Sequence, residues 1–168
     1  MIGREGLHLQ VLLDLFEAAG AGAPRSYIST GNVSFSAADP AVHEIAADVE
    51  NGIESVIGRR EPVYVRTIKS LVEMDERDPF ASTPFPDAIE RTVSFMPEGI
   101  DPFGLELPVE SPSGRLCIFA ATHGEVLSVG RRVGGRSQGA GGFVERALEC
   151  RVTSRAWSTV VRIVDMPE

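Results

Sequence analysis

Arginine, glycine and a hydroxyl side chain gather in one stretch of this 168-residue chain, Arg131-Arg-Val-Gly-Gly-Arg-Ser137, just ahead of a predicted helix. That combination suits an anion. Glycines let backbone N–H groups approach a ligand, a helix N-terminus favours negative charge, and Arg offers phosphate or carboxylate a bidentate fork. Arg131, Arg132, Gly135, Arg136 and Ser137 are therefore candidate ligand-binding residues, and Arg155, placed at the start of the last predicted helix, is expected to converge on them. The stretch is neither a Walker loop nor a dinucleotide fingerprint, because neither Gly-Lys-Ser/Thr nor Gly-x-Gly-x-x-Gly occurs after a strand. The alternative is a hairpin exit carrying solvated arginines.

A second, weaker candidate is the corner Ser29-Thr30-Gly31-Asn32. Ser29, Thr30 and Asn32 can orient a substrate, but a hydroxyl needs a neighbouring base to become nucleophilic, and none stands nearby. Turn chemistry alone accounts for Gly31 and Asn32. Trp157, Tyr27 and Phe35 read as core residues before they read as stacking platforms. His8, His43 and His123 are scattered, no Cys/His spacing resembles a metal site, and Cys117 and Cys150 are expected to be reduced thiols. No cofactor is expected.

The formal net charge of −8 argues against general nucleic-acid binding, which needs a cation surplus to displace phosphate counterions. Its distribution is uneven. Residues 1–112 carry 8 basic and 19 acidic side chains, a net of −11, whereas residues 113–168 carry 8 and 5, a net of +3. That asymmetry can focus an anionic ligand on the C-terminal part. No apolar run is long enough to span a bilayer and no signal-like N-terminus is present, so the expected location is cytoplasmic, away from membranes.

These candidates need elements to position them. Leu12, Leu15, Phe16 and Ala19 predict a helix over about 7–19, closed by Gly20 and Gly22. Arg25–Ser29 and Val33–Phe35 alternate as two strands about a Gly-Asn turn. Asp39-Pro40 predicts an N-cap, and Val42, Ile45, Ala46, Val49, Ile53, Val56 and Ile57 mark the clearest helix, ended by Gly58. Pro62–Arg66 reads as a short strand. With one strand placed ahead of it, this order becomes β-α-β-β-α-β. Ile68, Leu71 and Val72 suggest a connecting helix, and residues 79–112 hold seven of the eleven prolines. Beyond them, Arg91–Met96, Arg115–Ala121 and Val126–Arg132 predict strands, Ala140–Leu148 a helix, Cys150–Val152 a closing strand, and Trp157–Val164 a C-terminal helix capped by Thr153 or Ser154.

Several segments together resemble a bacterial family of unknown function, the DUF1697 domain. They are Tyr27-Ile-Ser-Thr-Gly-Asn-Val-Ser-Phe35, Asp78-Pro-Phe80, Gly135-Arg-Ser137 and Thr153-Ser-Arg-Ala-Trp-Ser-Thr-Val160, and they extend over nearly the whole chain. The resemblance implies two tandem ferredoxin-like units, residues 1–78 and 79–168, each an antiparallel sheet with helices on one face, plus an extra C-terminal helix. It implies no established activity. Members of that family begin with a strand running into an Arg-Gly-Ile-Asn-Val-Gly-Gly turn, whereas this chain opens at Met1-Ile-Gly3. A start assigned downstream of the true one, at an internal valine codon, is the expected cause of the missing first strand. Where the family carries Lys, Ser and Asn, this chain has Gln138, Ala140 and Gly141, and the family's Asn-Trp-Asn reads Ala156-Trp157-Ser158. Three functional classes follow: a binder of a small anionic or nucleotide-like ligand near 131–137, an interaction module or homodimer, and an enzyme using the 29–32 corner.

Overall fold

Leu12 and Phe16, one helical turn apart, are both buried on α1 (Leu9–Ala18). Residues 6–27, 31–97, 99–131 and 139–166 are described by the computed structural model. They form an α+β protein with two antiparallel sheets and, among the described residues, five α-helices. Two compact units divide the chain, Met1–Val65 and Arg66–Glu168.

In the first unit α1 ends at Gly20, whose φ of 88° places it in the left-handed region that glycine occupies freely. Strands β1 (Gly22–Tyr27) and β2 (Asn32–Ser36) then pair antiparallel, with Tyr27 opposite Asn32 and Gly22 opposite Ser36. The paired extended segments expected around the Gly-Asn turn are present, with Ile28, Ser29 and Thr30 outside the described residues. A bulge between Gly22 and Arg25 extends β1 toward its N-terminal end. Helix α2 (Val42–Ile57) follows a 3-10 turn, Asp39–Ala41, that contains the proline. The expected Asp39 cap is corrected: Ala38 holds the cap position of that turn, and Asp39 lies inside its first turn, where a carboxylate suits the local dipole. The helix closes on Gly58, left-handed at φ 73°. Leu7, Leu12, Phe16, Ala21, Ile45, Val49 and Ile53 form the core, with Val33 and Phe35 packed against it and the Phe16 and Phe35 rings 5.2 Å apart. Gly52 allows α1 and α2 close approach, since a Cβ there would lie 2.5 Å from Leu15 Cδ2.

Pro62–Arg66 joins no ladder among the described residues, which corrects the strand expected there. A side chain takes the backbone donor that a neighbouring strand would otherwise satisfy: Val63 N–H donates to Glu50 Oε1 at 2.9 Å, while Glu50 Oε2 accepts from Arg60 Nη2 at 3.0 Å.

The second unit opens with α3 (Ile68–Glu76), capped by Thr67, whose hydroxyl accepts from Ser70 N–H at 3.1 Å. Strands β3 (Glu90–Phe95), β4 (Val109–Glu110), β5 (Leu116–Ala121), β6 (Glu125–Gly130) and β7 (Thr153–Ala156) form one antiparallel sheet in the order β4-β5-β6-β3-β7. Between β3 and β5 the proline-rich chain makes only a 3-10 turn, Pro102–Gly104, and the short β4. Helix α4 (Gly141–Leu148) follows β6, and α5 (Trp157–Val164) follows β7.

Strand alternation sorts the sheet into two faces. Met96, Leu116, Ile118 and Val126 meet Ala140, Phe143 and Val144 on one. On the other, Phe80 packs on Trp157 at 5.4 Å and on Phe119 at 5.7 Å between ring centres. Both faces are therefore covered, not one, because the 79–88 stretch and α5 bring their own apolar side chains. The closing strand is also corrected. Thr153–Ala156 pairs with β3, Arg155 opposite Val93, and the Ser94 and Ser154 hydroxyl oxygens lie 2.7 Å apart. Thr153 and Ser154 thus belong to a strand and do not cap α5, whose N-cap is the extended Ala156. Ser128, on β6, is completely buried and its hydroxyl has no hydrogen-bond partner.

Candidate anion-binding site

Arg131 leaves the end of β6, and its N–H donates to Arg115 O at 2.8 Å, which carries the β5–β6 ladder one residue further. Its guanidinium carbon lies 3.5 Å from the centre of the Phe85 ring. Phe85 is itself buried, so the ring is a fixed platform that orients the cation. Arg131 Nε stands 3.2 Å from Asp87 Oδ1, but the pair is not aligned as a hydrogen bond, and Nε has no hydrogen-bond partner. Asp87 is 70% exposed, so water screens that pair.

The register brings two further arginines to the same end of the sheet. Leu116 is opposite Gly130 and Arg91 is opposite Val129. Arg115 therefore faces Arg131 across one side of β6, and Arg91 is its diagonal neighbour across the other, all three on the sheet face that carries Phe80 and Phe85. Arg91 lies 5.9 Å from the Phe80 ring. Cys117 is opposite Val129 on this face, and burial pushes its thiol up, Glu110 adding to the effect and Arg131 opposing it. The local signal that would have found Arg115 is hidden by a bulge. Counting back from the 122–125 turn pairs Ala121 with Val126 and Ala120 with Leu127, but Ile118 with Ser128. Without that one-residue shift at Phe119, Leu116 would oppose Arg131.

Arg155 sits on β7 opposite Val93, on the arginine face and diagonal to Arg91, and its Nη1 donates to Thr153 Oγ1 at 2.6 Å and to Ser154 O at 3.0 Å. Burial lowers its pKa. Arg132, Gly135, Arg136 and Ser137 lie outside the described residues, as do Ser29 and Thr30. Asn32 starts β2, and its side-chain amide donates to Tyr27 O at 3.4 Å across the hairpin, a turn-holding role. A groove of about 460 Å³, lined by Val109, Ser111, Leu116, Phe143 and Arg146 among others, opens beside α4 and contains none of the predicted residues. Among the described residues no group of three or more His, Cys, Asp or Glu is placed to hold a metal ion, and no helix is long and apolar enough to cross a membrane.

Fold and site together define an α+β protein whose second unit collects arginines at one end of an antiparallel sheet. More particularly, the chain belongs to the family described as Protein of unknown function (DUF1697), which matches residues 2–107. The match includes Arg91 and ends before Arg115 and Arg131, so it is shorter than the resemblance read along nearly the whole sequence. No curated protein and no solved structure matches the chain.

Proposed function

We propose that this protein binds a small anionic ligand at the end of the five-stranded sheet where Arg131 follows β6. The observation that carries the reading is Arg131: a partly exposed cation stacked on a buried ring, its Nε buried and its one carboxylate neighbour largely in water. Arg132, Gly135, Arg136 and Ser137, next to Arg131 in sequence, belong to the proposal on residue type alone, as guanidinium forks and glycines suited to an anion. Arg155 is left out of the site because its Nη1 serves its own strand.

The same reading takes the second unit as ferredoxin-like. The order β5-β6-β3-β7 is that of a βαββαβ unit whose first helix has shrunk to the 102–104 turn, with β4 added at the edge.

Inorganic phosphate is the simplest probe. At millimolar concentration and constant ionic strength it should raise the melting temperature of the intact protein, and Arg131→Gln should remove most of that rise. No stabilisation of the wild type by phosphate, measured against equal chloride, would end the reading.

A further inference from the structure

We propose that the arginine end of the sheet selects ligands bearing two anionic groups, with a diphosphate as the type. The inference rests on the anion-binding reading above and adds Arg115 beside Arg131 for the first anionic group and Arg91 as the residue that sets the preference for a second.

Spacing carries the argument. Residues directly opposite in an antiparallel ladder have Cβ atoms about 4.5–5.5 Å apart, and diagonal neighbours about 7–8 Å. Arg115 and Arg131 stand one residue beyond the last ladder pair, Leu116 with Gly130, joined by the Arg131 N–H to Arg115 O bond, and Arg91, opposite Val129, is diagonal to Arg131. Two guanidinium forks satisfy one tetrahedral phosphate. The third, a diagonal step away, is placed for a second anionic group and not for the first.

Charge balance points the same way. Asp87 stands beside Arg131 and Glu110 is on β4 opposite Cys117, on the arginine face, while Glu90 points to the other face. Among the described residues no carboxylate forms an ion pair with Arg91 or Arg115. Arg115 and Arg131, joined backbone to backbone just beyond the ladder, bring like charges to one rim, a conflict that an anion removes. A nucleobase is not the recognised part. Phe80 and Phe85, the rings against which Arg91 and Arg131 lie, are 1% and 3% exposed and offer no open face for stacking.

The test compares inorganic pyrophosphate with orthophosphate by titration calorimetry, without divalent metal and at chloride-balanced ionic strength. The wild type should bind pyrophosphate at least about tenfold more tightly, the worth of one charge-assisted hydrogen bond. Arg91→Gln should lose most of that preference while still binding orthophosphate, whereas Arg115→Gln should weaken the binding of both anions. Arg115→Gln should also melt higher than wild type when ligand-free, because the opposed like charges are gone. Equal affinity of the wild type for the two anions overturns the two-group selection and leaves the binding reading standing. Binding of neither anion overturns both. A preference that survives in Arg91→Gln overturns the assignment of Arg91, and unchanged orthophosphate affinity in Arg115→Gln overturns that of Arg115.

Discussion

Arginines in the second unit fall into two kinds, and the difference is what their donors do. Arg66 is fully committed. Its Nε meets Glu125 Oε1 at 2.8 Å, its Nη2 donates to Gly124 O at 2.8 Å and Met96 O at 3.0 Å, and its guanidinium lies 5.3 Å from the Phe95 ring. Glu125 Oε2 in turn accepts from Thr122 Oγ1 at 2.7 Å. With both side chains under one-fifth exposed, this is a structural clasp on the β5–β6 turn. Arg66→Met keeps the aliphatic stem but orphans the carboxylate. It should cost about 2 kcal/mol in urea denaturation, less than the ~3–5 of a fully buried pair because some water reaches it. Arg66→Met combined with Glu125→Leu should recover part of the loss. A single variant as stable as wild type would remove the clasp from the account. Arg131 shares the ring contact but differs in its polar partners: one weak carboxylate neighbour and a buried Nε without a hydrogen bond.

Elements with strong local rhythm were legible in the sequence, and those decided by their neighbours were not. Val49 and Ile53, spaced along α2, read correctly because burial repeats with the helical period. Gly58 read correctly as a stop because its left-handed conformation is a local demand. Open space surrounds the position where a Cβ would stand, so Gly58→Ala meets only backbone strain. It should lower stability by about 1 kcal/mol, and Gly58→Asn by less, measured as shifted urea midpoints with unchanged slopes. A neutral Gly58→Ala would mean that the helix end frays without consequence. The failures have a common cause. Pro62–Arg66 has β-type composition, but a strand exists only through a partner, and Glu50 supplied the hydrogen bond to Val63. Thr153 and Ser154 looked like helix caps because the hydroxyls that cap helices also suit strands, and the decision lay with Ser94, sixty residues away in sequence. Arg131 was found from composition. Arg115 was not, since the bulge at Phe119 that brings it opposite leaves no residue signature of its own.

At the scale of the molecule the two units differ in how well each is closed. Arg66–Glu168 contains a five-stranded sheet with buried side chains on both faces. Met1–Val65 contains two helices over a two-stranded sheet among its described residues, and a core of that size is marginal because so short a chain buries a smaller share of its surface. Expressed separately, residues 66–168 should give a cooperative urea transition with sheet-rich circular dichroism, whereas residues 1–65 should show no cooperative unfolding. An unfolded 66–168 fragment would contradict the closure ascribed to its sheet. The charge asymmetry seen in the sequence falls along related lines, with the cationic surplus in the stretch that supplies β5, β6 and β7.

Ser128 has a consequence for how this protein tolerates change. Its hydroxyl is shut away from water with nothing to bond, a desolvation of about 1–3 kcal/mol left uncompensated in the middle of the sheet. The native state withstands that burden, so it holds slack that one hydroxyl-free residue of similar size would release. Laboratory evolution of a new specificity at the arginine rim has a ready first step there, taken on the opposite face of the sheet and out of reach of any ligand.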